Sequence, residues 1–112
     1  MMIRRRTALT TALAMPALAG RAQAQAFLDR VLANKAPRRA GGVALAHLLT
    51  AAGRIETEFT VTRLGEDRYY LLSSASAELR DFDFLRQAVQ PGEQVEIRNV
   101  TDDFGVLVVS GP

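Results

Sequence analysis

Glu56 and Glu58 stand two residues apart in the stretch GRIETEFTVTRL, residues 53–64. Counting by twos sets Ile55, Thr57, Phe59 and Val61 on one side of an extended chain and Glu56, Glu58, Thr60 and Thr62 on the other. The first row suits a core. The second offers two carboxylates and two hydroxyls. Such a row fits either a solvated sheet face or the wall of a polar pocket. His47 is the single histidine, without a second ligand at useful spacing, and reads as structural rather than as a metal ligand or base. Asp102 and Asp103, beside Asn99 and Thr101, lack calcium-loop spacing and read as a solvated turn.

Other chemistries lack their residues. The chain has no cysteine, which excludes disulfides, thiolate metal sites and thiol nucleophiles. No glycine-rich phosphate loop occurs, and neither does a G-x-S-x-G elbow. No metal site is expected. The formal charge of +2 is set by the amino end, because four of the fourteen basic residues precede Ala22. From Phe27 onward ten basic residues face twelve acidic ones, a net of −2, and no basic patch supports nucleic-acid binding.

These side chains need elements to hold them. MMIRRR, then TALTTALAMPALAG, then RAQAQA have the layout of a secretory leader, with cleavage expected after Ala24 or Ala26 and export to the periplasm. Without that use the chain stays cytoplasmic, and a misplaced start is the alternative source of these residues. The apolar run is interrupted by Pro16 and falls short of the roughly 20 residues of a membrane span. Residues 1–26 are therefore set apart from a domain at 27–112. Phe27, Leu28, Val31 and Leu32 form the stripe of a short helix ended by Pro37, and RRAGG reads as a linker.

VALAHLLT and IETEFTVTRL then read as two strands joined by a turn in which Gly53 supplies a positive φ, with a helix as the rival for the first. RYYLLSS reads as a third strand. Leu79, Phe82, Leu85 and Val89 mark the buried stripe of a helix that Ser74 or Ser76 would cap and Pro91-Gly92 would end. EQVEIRNV and FGVLVVS close the chain as strands, the last apolar enough to be buried on both faces. The expectation is an α+β domain, β-β-β-α-β-β, with one helix packed on a mostly antiparallel sheet and a short helix before it.

FLDRVLANKAP, GGVALAHLLTAAGRIETEFTVTRLGEDRYYLLSS, AELRDFDFLRQAV and VTDDFGVLVVSGP, in this order, resemble the first part of a folate-binding aminomethyltransferase domain. That family includes the glycine-cleavage T-protein and the C-terminal half of dimethylglycine and sarcosine dehydrogenases. VTRL and DFDFLR place the likeness nearer the dehydrogenase branch.

The resemblance implies one-carbon chemistry on tetrahydrofolate, with a strand carboxylate beside the folate nitrogens. The family pattern Gly-Gly-Ile-x-x-Asp falls on Gly53-Arg54-Ile55-Glu56-Thr57-Glu58, so the catalytic acid maps to Glu58, one methylene longer than the usual Asp. Thr60 and Ser74 map beside the cofactor, with Ser74 where T-proteins often carry Asn. The resemblance covers a first subdomain only. It implies an incomplete aminomethyltransferase, not catalytic alone, that binds folate and joins the missing subdomains or a second chain, with self-association through uncovered surface. A small exported binding or structural domain without catalysis is the alternative.

Overall fold

The computed structural model describes residues 1–5 and 23–112. Five strands form one antiparallel sheet: β1 (Met2–Arg5), β2 (Val43–Leu49), β3 (Ile55–Gly65), β4 (Arg68–Leu72) and β5 (Val95–Arg98). Their order across the sheet is β2-β3-β4-β1-β5. Two helices, α1 (Gln23–Val31) and α2 (Glu78–Gln87), pack on one face. The architecture is the expected α+β class.

Alternation decides which face is which. Thr57, Phe59 and Val61 of β3 are buried, as are Ala46 and Leu48 of β2 and Tyr69 and Leu71 of β4. They meet Phe27 and Leu28 of α1, Leu85 of α2 and Val95 of β5 in one core. Residues one step out of phase face away from the helices. Leu45, Thr60 and Leu72 form one row across that open face, and Val43, Thr62, Tyr70, Met2 and Arg98 another.

The β2–β3 hairpin turns where expected. Gly53 has φ +78°, a value only glycine adopts without cost, and its N–H donates to the Thr50 carbonyl at 2.9 Å. The segment before β2 is more than a linker. Gly41 N–H donates to the Arg63 carbonyl, Arg63 N–H to the Gly42 carbonyl, and Arg38 pairs with Asp29 at 2.9 Å.

Four features depart from the sequence expectation. First, Met2–Arg5 is a central strand, paired with β4 on one side and β5 on the other. Ile3 is wholly buried, the Met1 ammonium donates to the Leu71 carbonyl at 2.6 Å, and Leu71 N–H donates back to Met1 at 2.7 Å. Charged arginines obscured this strand, since only Ile3 of MIRR must face the core. Ala24, within the expected cleavage site, is buried in α1, and residues 6–22 of the leader-like run lie outside the described residues.

Second, the FGVLVVS segment is extended but is not a strand; Leu107, Val108 and Val109 are 90–92% exposed. The sheet position beside β5 is held by β1 instead, so the observed order is β-α-β-β-β-α-β. Third, of the expected stripe Phe82, Leu85 and Val89 pack on the core, but Leu79 is 74% exposed and Asp81 is buried in its stead, at 1% exposure. Fourth, no serine side chain caps α2. A 3-10 turn at Ala75–Ala77 leads into it, and the Ser74 and Ser76 hydroxyls bond each other at 2.9 Å.

Candidate functional site on the open sheet face

Glu58 lies on the open face of β3, its side chain 57% exposed. Its cross-strand neighbour is His47, whose Nε2 lies 3.1 Å from Glu58 Oε2. Directly opposed side chains in an antiparallel pair come within contact range, so the hairpin register itself builds this pair. His47 is therefore structural only in part, because it is also the polar partner of the candidate acid. Sequence reasoning missed this link, although counting back across the Gly53 turn sets position 47 opposite position 58.

Glu56 shares the face but has other company. Arg80 of α2 reaches around the strand, with Nη1 3.7 Å from Glu56 Oε1 and Nη2 3.3 Å from the Glu56 carbonyl. The guanidinium also contacts the buried Asp81 carboxylate at 3.1 Å. Asp81 Oδ2 accepts from the Thr57 hydroxyl at 2.9 Å. The part of β3 that carries the two exposed glutamates is thus gripped from the helix side of the sheet.

Thr60 is half-buried on the open face, directly across from Leu72 of β4. Ser74 follows β4 by two residues and lines a concavity of about 330 Å³. Tyr70, Leu72, Glu78, Thr101 and Phe104 line it too. Tyr70 and Phe104 meet edge to face, centroids 6.1 Å apart. Leu72 links the two parts, standing opposite Thr60 in the ladder and lining the hollow together with Ser74. Glu58, Thr60 and Ser74 therefore share one end of one face, with only Ser74 in the concavity itself.

Glu78 is a further acid that sequence reasoning did not single out. Its carboxylate accepts from Asn99 Nδ2 at 2.5 Å, and that bond above all holds its pKa below the usual carboxylate value. The Asn99 signal was visible only as part of the turn with Thr101, where Asn99 Oδ1 accepts from the Thr101 N–H and hydroxyl. Asp102 and Asp103 are exposed in that turn, as expected. Among the described residues no cluster of three or more His, Asp or Glu side chains could hold a metal ion.

Comparison with known proteins places the chain. Dimethylglycine dehydrogenase from Rattus norvegicus is 40% identical over 87 residues, which are 77% of this chain and 10% of that protein. The human protein of that name is 38% identical over the same length. An aminomethyltransferase from Chloroherpeton thalassium is 30% identical over 90 residues, 80% of this chain and 25% of the relative. The chain thus spans between a tenth and a quarter of the length of these relatives.

A crystal structure of glycine cleavage system aminomethyltransferase T from Bartonella henselae superposes with a TM-score of 0.65 at 21% identity. It covers 85% of this chain and 22% of the solved one, a likeness of fold. The model of the GCVT N-terminal domain matches residues 10–112. On the strength of that match over most of its length, the chain belongs to the GCVT N-terminal domain family.

Proposed function

We propose that the open sheet face supplies one wall of a tetrahydrofolate site in an aminomethyltransferase-type reaction, with Glu58 as its acid. The observation that carries this reading is the grouping of Glu58, Thr60 and Ser74 at one end of a single face, beside the aromatic hollow of Tyr70 and Phe104. The donor set suits such a cofactor. A flat heteroaromatic ring can lie against Tyr70, Phe104 and Leu72, while an amine on it meets a carboxylate and two hydroxyls.

When bound, tetrahydrofolate supplies nitrogens that accept a one-carbon unit. Glu58 takes the proton that such a nitrogen gives up and offsets positive charge nearby. An N–H on His47 Nε2 donates to Oε2, leaving Oε1 to face outward. Thr60 and Ser74 donate or accept hydrogen bonds at the rim. This face covers one side only, and pockets for ligands of this size bury about 70–90% of them, so further walls come from a longer chain or a second one. On this reading the isolated 112 residues bind weakly and do not turn over.

Isothermal calorimetry with tetrahydrofolate tests the proposal, on this chain and on one extended to the family's full length. Glu58→Gln is expected to weaken binding about tenfold or more, the scale of a lost charge-assisted hydrogen bond, while Glu56→Gln leaves it close to wild type. Absence of binding in both forms of the protein would sink the proposal.

A further inference from the structure

The tail after β5 carries four consecutive apolar residues, Val106 to Val109, that are 61–92% exposed. Runs of this kind belong inside sheets. The tail stays near the sheet all the same. Phe104 packs against Tyr70 of β4, and Phe104 to Leu107 face Met2, Tyr70 and Leu72 across a hollow of about 500 Å³. The tail therefore crosses over β4 and β1 rather than beyond the outer edge of β5.

The sheet position below it is held by β1, whose sequence Met2-Ile3-Arg4-Arg5 is the least strand-like in the sheet. β1 begins opposite Arg98 and ends opposite Val95, running antiparallel to both neighbours. A hairpin leaving β5 at Arg98 through the turn at Thr101–Asp103 returns in that same direction. Both segments offer four residues to the position. Val106–Val109 would direct two apolar side chains into the core and two toward Tyr70 and Leu72, whereas β1 brings Ile3 inward and turns Arg4 to solvent. Alternation leaves either segment in register with its surroundings.

We infer that β1 and Val106–Val109 are alternative occupants of one position in the sheet, and that the tail moves in when residues 2–5 move out. The exchange keeps five strands and conserves every neighbour-to-neighbour direction. It belongs to the class of switches in which two packings of one sequence lie close in free energy. Any event that removes the amino-terminal segment, cleavage after Ala24 or Ala26 included, would trigger it, and it stands independently of the folate reading.

Hydrogen exchange on the full chain tests it. In wild type the amides of Ile3 and Arg4 are protected and those of Val106–Val109 are not. In Ile3→Asp, which drives a charge out of the core, the Val106–Val109 amides are expected to slow by about a hundredfold or more, as amides within a sheet do, with β5 still protected. Tail amides that stay fast in that variant would overturn the exchange. So would tail protection alongside Ile3 in wild type, which would mean pairing on the outer edge of β5. Global unfolding of Ile3→Asp also counts against it, because the tail then fails to fill the position. Ile3→Ala repeats the test without importing a charge. Val108→Asp is expected to leave the wild-type melting temperature unchanged but to unfold the protein when combined with Ile3→Asp; equal melting of the double variant and Ile3→Asp overturns the inference as well.

Discussion

Glu58 and Glu56 differ in what holds them. The charge of Glu56 is met by Arg80 at 3.7 Å, while Glu58 has a histidine at 3.1 Å and otherwise faces outward. A carboxylate that faces outward is the more accessible to a ligand on the open face, so geometry favours Glu58. Neither side chain supports the fold much; Glu58→Gln is expected to change stability by less than about 0.5 kcal/mol, as surface substitutions generally do. Thr57, between them in sequence and opposite them in direction, is another matter. Thr57→Val keeps the shape but strips the buried Asp81 Oδ2 of its donor, and chemical denaturation should show a loss of about 1–3 kcal/mol. Asp81→Asn, which keeps a hydrogen-bonding group at that position, should lose less.

Within elements, the hairpin and the helices differed in how openly the sequence declared them. Alternation over TEFTV gave the two faces of β3 and Gly53 the turn, because each signal is local, but Ile55, read with the core row, is 64% exposed at the start of the strand. Helix α2 was legible as a helix, and Phe82, Leu85 and Val89 pack on the core as read, yet the stripe's first residue was not Leu79. Leu79 fits the spacing but faces water, and Asp81 enters the core because a partner on another element receives it. No periodicity reports a partner that lies 24 residues away. Two substitutions check the observed stripe by thermal melting. Leu85→Ala should cost about 2–5 kcal/mol as a large-to-small core change, whereas Leu79→Ala should stay within about 0.5 kcal/mol. The candidate site was legible in the same uneven way. Glu58 and Thr60 followed from strand phase and family likeness, but the His47 contact needed the hairpin register, and Glu78 needed the turn at Asn99 to fold back on α2.

At the scale of the whole molecule, two carboxylates join elements that the chain order keeps apart. Glu78 of α2 is bonded to Asn99 beyond β5. Glu93 is desolvated, which works against its ionised form, but bonds from Arg30 and from the Gln90 N–H outweigh that and hold its pKa below the usual value. Arg30 donates to both Glu93 oxygens, at 3.1 and 2.7 Å, and to the Ala88 carbonyl at 2.8 Å, tying α1 to the end of α2. A lowered carboxylate pKa stabilises the fold above the unfolded value of about 4.5, and that contribution is lost as pH falls through the folded value. The melting temperature should therefore drop between about pH 5 and pH 3, and Arg30→Gln should make that drop shallower. Apolar side chains left in water, Val43, Leu45, Leu49, Ile55 and Leu64 along β2 and β3 among them, point to self-association at high concentration. Sedimentation velocity should show it, and Leu45→Glu should reduce it.

The grip of α2 on β3 carries one more consequence. Asp81 holds Thr57 from beneath while Arg80 holds the carbonyl and side chain of Glu56 around the strand edge. The strand then acts as a stiff bar with a clamp on one side and Glu58 on the other. A ligand seated against Glu58 is therefore expected to slow amide exchange in the first turn of α2, and hydrogen exchange with and without tetrahydrofolate checks this from the far side of the sheet.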